Sequence, residues 1–235
     1  SSVVLNGAVG GGFGVTKTGG GALTLRGANT FSGGAVMNGG PVYVGHDAAF
    51  GTGSLTMGGA VISSDSAAPR TIGNTYTVGG AQTLGNSTLN GTLTFSGPGT
   101  LSSPLTLTTD SAVVLSGVLA GGSGLTKVGN ASLTLSGANS FSGGAILNVG
   151  AVYVGNNSAF GLGNVTFKGS SVSSDGATAR TISNAYDFDQ TISGVQLGDA
   201  ALNGVLTFSG PGTLRADLTV TPASDVLLTG TPGEV

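Results

Sequence analysis

An all-β chain wound as a right-handed parallel β-helix is predicted by three observations. Short segments of strict alternation recur along the sequence, glycine-rich turns separate them, and a unit of about 110 residues appears twice. The alternating segments come in order as Ala22 to Arg26, Pro41 to Val44, Ser54 to Met57, Thr92 to Phe95 and Leu105 to Thr108. Period two with β-branched and aromatic residues marks half-buried strands. Between them stand Gly-Gly, Ser-Gly, Asn-Gly and Gly-Pro-Gly, all turn formers. No stretch keeps helical periodicity beyond two turns. The 46 glycines among 235 residues oppose helix further.

The unit is read from direct self-similarity. GVTKTGGGALTLRGANTFSGG at 14–34 matches GLTKVGNASLTLSGANSFSGG at 124–144, an offset of 110. The offset holds from Val3 onto Val113 and from Arg70 onto Arg180. It becomes 113 by Leu89 onto Leu202, and FSGPGTL at 95–101 returns at 208–214. Three residues are therefore inserted between about 187 and 197, in an expected loop. The chain divides into 1–110, 111–223 and the start of a third unit at 224–235, as one continuous solenoid. Strands this short fit coils of about 22 residues, so five coils per unit and ten or eleven in all. Parallel crossovers are overwhelmingly right-handed, which sets the expected hand.

Composition excludes several classes. Only 7% of residues are charged and the net charge is -3. Gly, Ser and Thr together make roughly two-fifths of the chain, yet Gly shows no collagen period. Seven basic residues make no phosphate-binding patch, so nucleic acid is not an expected partner. No Cys is present, which removes disulfides and thiol chemistry. No apolar run approaches the length of a membrane-spanning helix. With no initiator Met and no signal-type segment, the chain is expected to be a mature product or an excerpt. Low charge also suits stacked coils, where like charges would repel.

The segment from Val15 to Gly45 resembles the autotransporter-associated β-strand repeat, also called the passenger-associated transport repeat. Lys17, Leu23, Leu25, Gly27, Asn29, Phe31, Ser32, Gly33 and Gly34 fill its pattern. In the second copy Lys127, Leu133, Leu135, Gly137, Asn139, Phe141, Ser142, Gly143 and Gly144 do so. Ala35 and Ala145 replace the usual Thr, and Pro41 sits at the last turn. The resemblance implies a β-helical passenger, secreted or at the cell surface, exterior to the outer membrane of a Gram-negative-type bacterium. It implies a location and a fold, and leaves activity open.

Residues able to carry chemistry are few. His46 is the only His, and Asn156 replaces it in the second copy, so a turn role is expected. Gly10 to Gly14 lacks the order of a phosphate loop. Asp187 and Asp189 flank Phe188, and alternation would set both carboxylates on one side, about 6–7 Å apart. That spacing suits a glycosidase pair or a Ca²⁺ site, although no neighbouring Lys or aromatic platform is evident. The default is a solvated strand edge. Asp65 with Arg70, and Asp175 with Arg180, read as local ion pairs. Asn29, Gly33, Gly34, Asn139, Gly143 and Gly144 read as structural turns, with the Asn amides bonding backbone inside the coil. Thr-x-Thr pairs at 75, 92 and 106 are separated by unequal steps, which argues against the aligned Thr rows that bind ice.

The expected function is therefore a non-catalytic extracellular fibre, scaffold or adhesin rod. No metal or other cofactor is expected. Self-association, end to end or lateral, is the expected partnership, with a host-surface or polysaccharide ligand as a further candidate. The alternatives are a stalk presenting an effector and a polysaccharide-binding or -cleaving β-helix.

Overall fold

The computed structural model describes residues 1–189, 194–202 and 204–231. Among these residues there is no helix, and the strands pair in parallel as a β-solenoid of about 11 turns. At the spacing of adjacent strands the rod is about 50 Å long. Residues 190–193, within the stretch that holds the three-residue insertion, lie outside the described residues, as do 203 and 232–235.

The pairs stack in three columns. The first runs through Ser2–Leu5, Ala22–Leu25, Pro41–Val44 and Val61–Ser64 and continues to Gly212–Leu214. The second begins with Val15–Lys17, Ala35–Met37 and Leu55–Met57. The third holds Arg70–Ile72, Leu93–Phe95, Val113–Leu115, Leu133–Leu135, Ala151–Val154 and Ser171–Ser174. Tyr76–Leu84 and Gly99–Thr109 are longer because each turns the corner from the second column into the first.

The expected five coils of about 22 residues per unit need correction. Rungs of the first column fall at Val3, Leu23, Val42, Ile62, Leu84 and Thr109, so a coil takes 19 to 25 residues. Val113, the counterpart of Val3, then pairs with Leu93 in the third column. One unit is thus five and a third coils. The second unit stands a third of a turn around the axis from the first. Leu125–Val128, the counterpart of Val15–Lys17, accordingly continues the first column by pairing Leu105 with Leu125.

Alternation places the core. In Leu55–Met57 and Leu93–Phe95 the outer residues are buried and the central Thr is half-buried. Leu25, Val44, Ile62, Phe95, Val154 and Phe167 are fully buried along the axis. Each buried side chain of this size contributes about 1.5–3 kcal/mol. Where a column has turns in place of strands, Phe31, Phe50, Phe141 and Phe160 fill the gap. The Thr-x-Thr pairs read from the sequence do not stack on one another, as expected, because Thr77, Thr94 and Thr106 lie in three different columns. Thr56, Thr77 and Thr100 stack in register, because unequal coil lengths are absorbed in the turns and the ladder keeps its rungs aligned.

Candidate functional site

The polar residues of the repeat are spent between coils. Asn29 is buried; its Oδ1 accepts the Val9 N–H at 2.8 Å and its Nδ2 donates to Ala49 O at 2.7 Å. Asn139 does the same with Leu119 N and Ala159 O, at 2.8 and 2.7 Å. Each amide therefore links the coil before to the coil after, where bonding within one coil was expected. Asn74 and Asn184 add a second such set, donating to Gly53 O and Gly163 O at 2.7 Å each. A buried amide placed this way satisfies groups that would otherwise cost free energy.

The glycines after those asparagines have a steric reason. A Cβ on Gly33 would collide with the backbone of Gly14, and one on Gly143 with that of Gly124. Gly34 and Gly144 take φ of 87° and 80°, the left-handed region that favours glycine. Coil-to-coil approach and turn shape together select the Gly-Gly pair.

Lys17 and Lys127 occupy the interior, which the sequence reading did not foresee. Lys127 is fully buried, and its Nζ donates to Val128 O, Gly129 O and Val149 O at 3.1, 2.7 and 3.0 Å. Lys17 Nζ donates to Thr18 O, Gly19 O and Gly39 O at 3.2, 2.6 and 2.6 Å. These carbonyls point inward at a corner, and an ammonium supplies three donors. Burial pushes the Lys127 ammonium down to about 8. The only signal for this role was the place of Lys two residues before the turn in both copies.

Asp187 and Asp189 do not form an unpaired acid pair. Asp187 Oδ1 meets Arg215 Nη2 at 3.1 Å, and its Oδ2 accepts from Asn164 Nδ2 at 2.7 Å. Asp189 Oδ2 meets Lys168 Nζ at 2.9 Å. The expectation of no neighbouring Lys is thus corrected, because coils above and below bring both cations in. All five residues are particular to the second unit. Ser54, Gly58, Thr77, Gly79 and Ser102 hold the corresponding places in the first. Among the described residues no three His, Cys, Asp or Glu cluster as a metal site requires.

The recurring Asp–Arg pairs behave as turn staples. Arg70 Nη2 meets Asp65 Oδ1 at 3.1 Å and Arg180 Nη2 meets Asp175 Oδ1 at 3.0 Å. Arg26, from two coils earlier, adds a bond from Nε to Asp65 Oδ2 at 2.9 Å. Burial raises the Asp65 carboxyl, but the bonds from Arg26 and Arg70 outweigh it and hold its pKa below the ordinary value. His46 Nδ1 accepts the Ala48 N–H at 3.0 Å, the turn role expected of it.

Stacked parallel coils joined by buried amides and corner lysines define a β-solenoid repeat protein. Residues 15–40 and 125–154 match the passenger-associated-transport-repeat family model. Over 121 residues, 50% of its length, the chain is 34% identical to the Adhesin BmaC autotransporter of Brucella suis biovar 1 (strain 1330). The matched stretch is 3% of that relative's length. No solved structure matches the chain. The chain is a β-solenoid with two segments that match the passenger-associated-transport-repeat model, and these are the segments, from Lys17 to Gly34 and from Lys127 to Gly144, that carry the resemblance in the sequence.

Proposed function

We propose that this chain is a stretch of a non-catalytic, adhesin-like passenger rod held at the outer surface of a Gram-negative-type cell. The observation that carries the reading is the use of the recurring polar residues. Asn29, Asn139, Lys17 and Lys127 all bond backbone across coils, so they build length. The similarity to an autotransporter adhesin over half the chain supports the same reading. Asp187 and Asp189 are each held by a cation, which suits a surface staple better than proton transfer. Adhesion is tested by coating beads with the purified chain and counting their attachment to host cells. Attachment above that of uncoated beads, competed by soluble chain, is expected; attachment equal to the control overturns the adhesive role.

End-to-end self-association is the finer part of this proposal. In the isolated chain Ser2–Leu5 and Val226–Leu228 each pair on one edge among the described residues, and a strand edge left unpaired in this way accepts another strand. Negative-stain microscopy over a dilution series tests it. Filaments whose length falls on dilution are expected. Dispersed rods of about 50 Å at every concentration would favour a passive stalk.

A further inference from the structure

The two units carry the same staple in different states of occupation. In the first, Asp65 faces two guanidiniums: Arg70 on Oδ1, and Arg26 lying across Gly45 to reach Oδ2. In the second, Asp175 keeps Arg180 on Oδ1, but Ser136 stands where Arg26 would be. The consequence is visible in exposure. The Asp65 side chain is 11% exposed and that of Asp175 is 28% exposed. Beside Ser136 lies a cleft of about 550 Å³, lined by Thr134, Ser136, Tyr153, Asp175, Asp199 and Leu202 among others. Asp175 Oδ2 and Ser136 Oγ converge over Gly155, each 2.6 Å from where its Cβ would be.

A second change reinforces the first. Asp199 occupies the position of Asn86. Both open the same kind of turn, with Asn86 Oδ1 accepting Thr88 N–H and Asp199 Oδ1 accepting Ala201 N–H. The turn therefore does not require the charge. One carboxylate meets two guanidiniums in the first unit; in the second, two carboxylates line the cleft and Asp175 alone meets a guanidinium, that of Arg180.

We propose that the second-unit cleft binds an arginine side chain of a partner protein. Arg26 on Asp65 is the internal picture of that contact, a guanidinium N–H on the free carboxylate oxygen at 2.9 Å. A guanidinium seated from outside reaches Asp175 Oδ2 and the Asp199 carboxylate, and Tyr153 offers its ring to the side-chain stem and cation. This deepens the adhesin reading by naming a partner chemistry and rests on it only for the partner being met outside the cell.

The test is calorimetric titration of the whole chain with an acetylated, amidated tetra-arginine peptide. Saturable one-to-one binding that weakens with salt is expected. Ser136→Arg rebuilds the first-unit staple, so it should fold, fill the cleft and weaken binding by at least about tenfold. Asp199→Asn should weaken it about fivefold. The paired change Arg26→Ser with Asn86→Asp should open a second site and double the stoichiometry. Three outcomes overturn the proposal: no binding at millimolar peptide, binding unchanged in Ser136→Arg, or calcium chloride competing the peptide away through Asp175 and Asp199. Failure here with cell attachment intact removes only the arginine site, whereas loss of attachment with peptide binding intact removes the adhesive role.

Discussion

The ring of Tyr76 lies over Gly99 of the following coil, in space that any side chain at 99 would occupy. A Cβ at 99 would clash with the ring at Cζ and stand 2.6 Å from the phenolic oxygen. Tyr186 and Gly212 repeat the arrangement in the second unit. Tyr76 also packs on Phe95 with ring centroids 5.3 Å apart, and its hydroxyl is buried without a partner.

Gly99→Ala should therefore destabilise by about 1–3 kcal/mol, as overpacking does. Tyr76→Phe should be neutral or stabilising by about 1 kcal/mol, because it removes an unsatisfied buried hydroxyl. Denaturant unfolding of the two variants reads both. A stabilised Gly99→Ala would contradict the packing.

The buried amide rungs make a second expectation. Asn139→Ala strands the Leu119 N–H and the Ala159 carbonyl, and should cost about 2–4 kcal/mol. Amide hydrogen exchange should show the loss as faster exchange at Leu119. An unchanged exchange rate there would refute the rung.

Stability should rise with pH above about 8. The Lys127 pKa of about 8 lies below its ordinary 10.5, so between those values the unfolded chain holds a proton that the folded chain has released. Folding then gains up to about 1.4 kcal/mol per pH unit. Near pH 10 the gain is opposed, because burial holds the Tyr76 phenol protonated above the ordinary value of 10.0 while the unfolded phenol ionises. Chemical unfolding from pH 7 to 10 should show the rise, and Lys127→Met should abolish it.

The third-of-a-turn offset predicts a cross-link. Thr94 and Val114 are partners on adjacent coils of one column, although Val114 is the counterpart of Val4 in another. A Thr94→Cys, Val114→Cys chain should close a disulfide under mild oxidation, since cross-strand partners fall within disulfide reach. Mass spectrometry of the oxidised chain checks it. A chain that stays reduced would argue against the offset.

Much of the architecture was legible in residue order. Alternation at Pro41 to Val44 and at Leu105 to Thr108 reports a face toward a core, and that is a local property. The pairing of Asp187 with Arg215 and of Asp189 with Lys168 was not legible. Those partners are 20 or more residues apart and meet only when coils of unequal length come into register. Lys127 was equally opaque, since a charged residue in an alternating strand gives no sign that inward carbonyls await it.

Residue order alone established the all-β class, the duplicated unit and its kinship, because strand alternation, turn chemistry and self-similarity are written in neighbouring positions. Folding settled how the units face one another. A unit closes on five and a third coils, and the fraction depends on how many residues each turn absorbs before its strand regains the ladder. That fraction carries equivalent residues of the two units to different sides of the rod. The exposure of Asp175 beside its covered twin Asp65 was likewise settled in space, by one guanidinium arriving from two coils away.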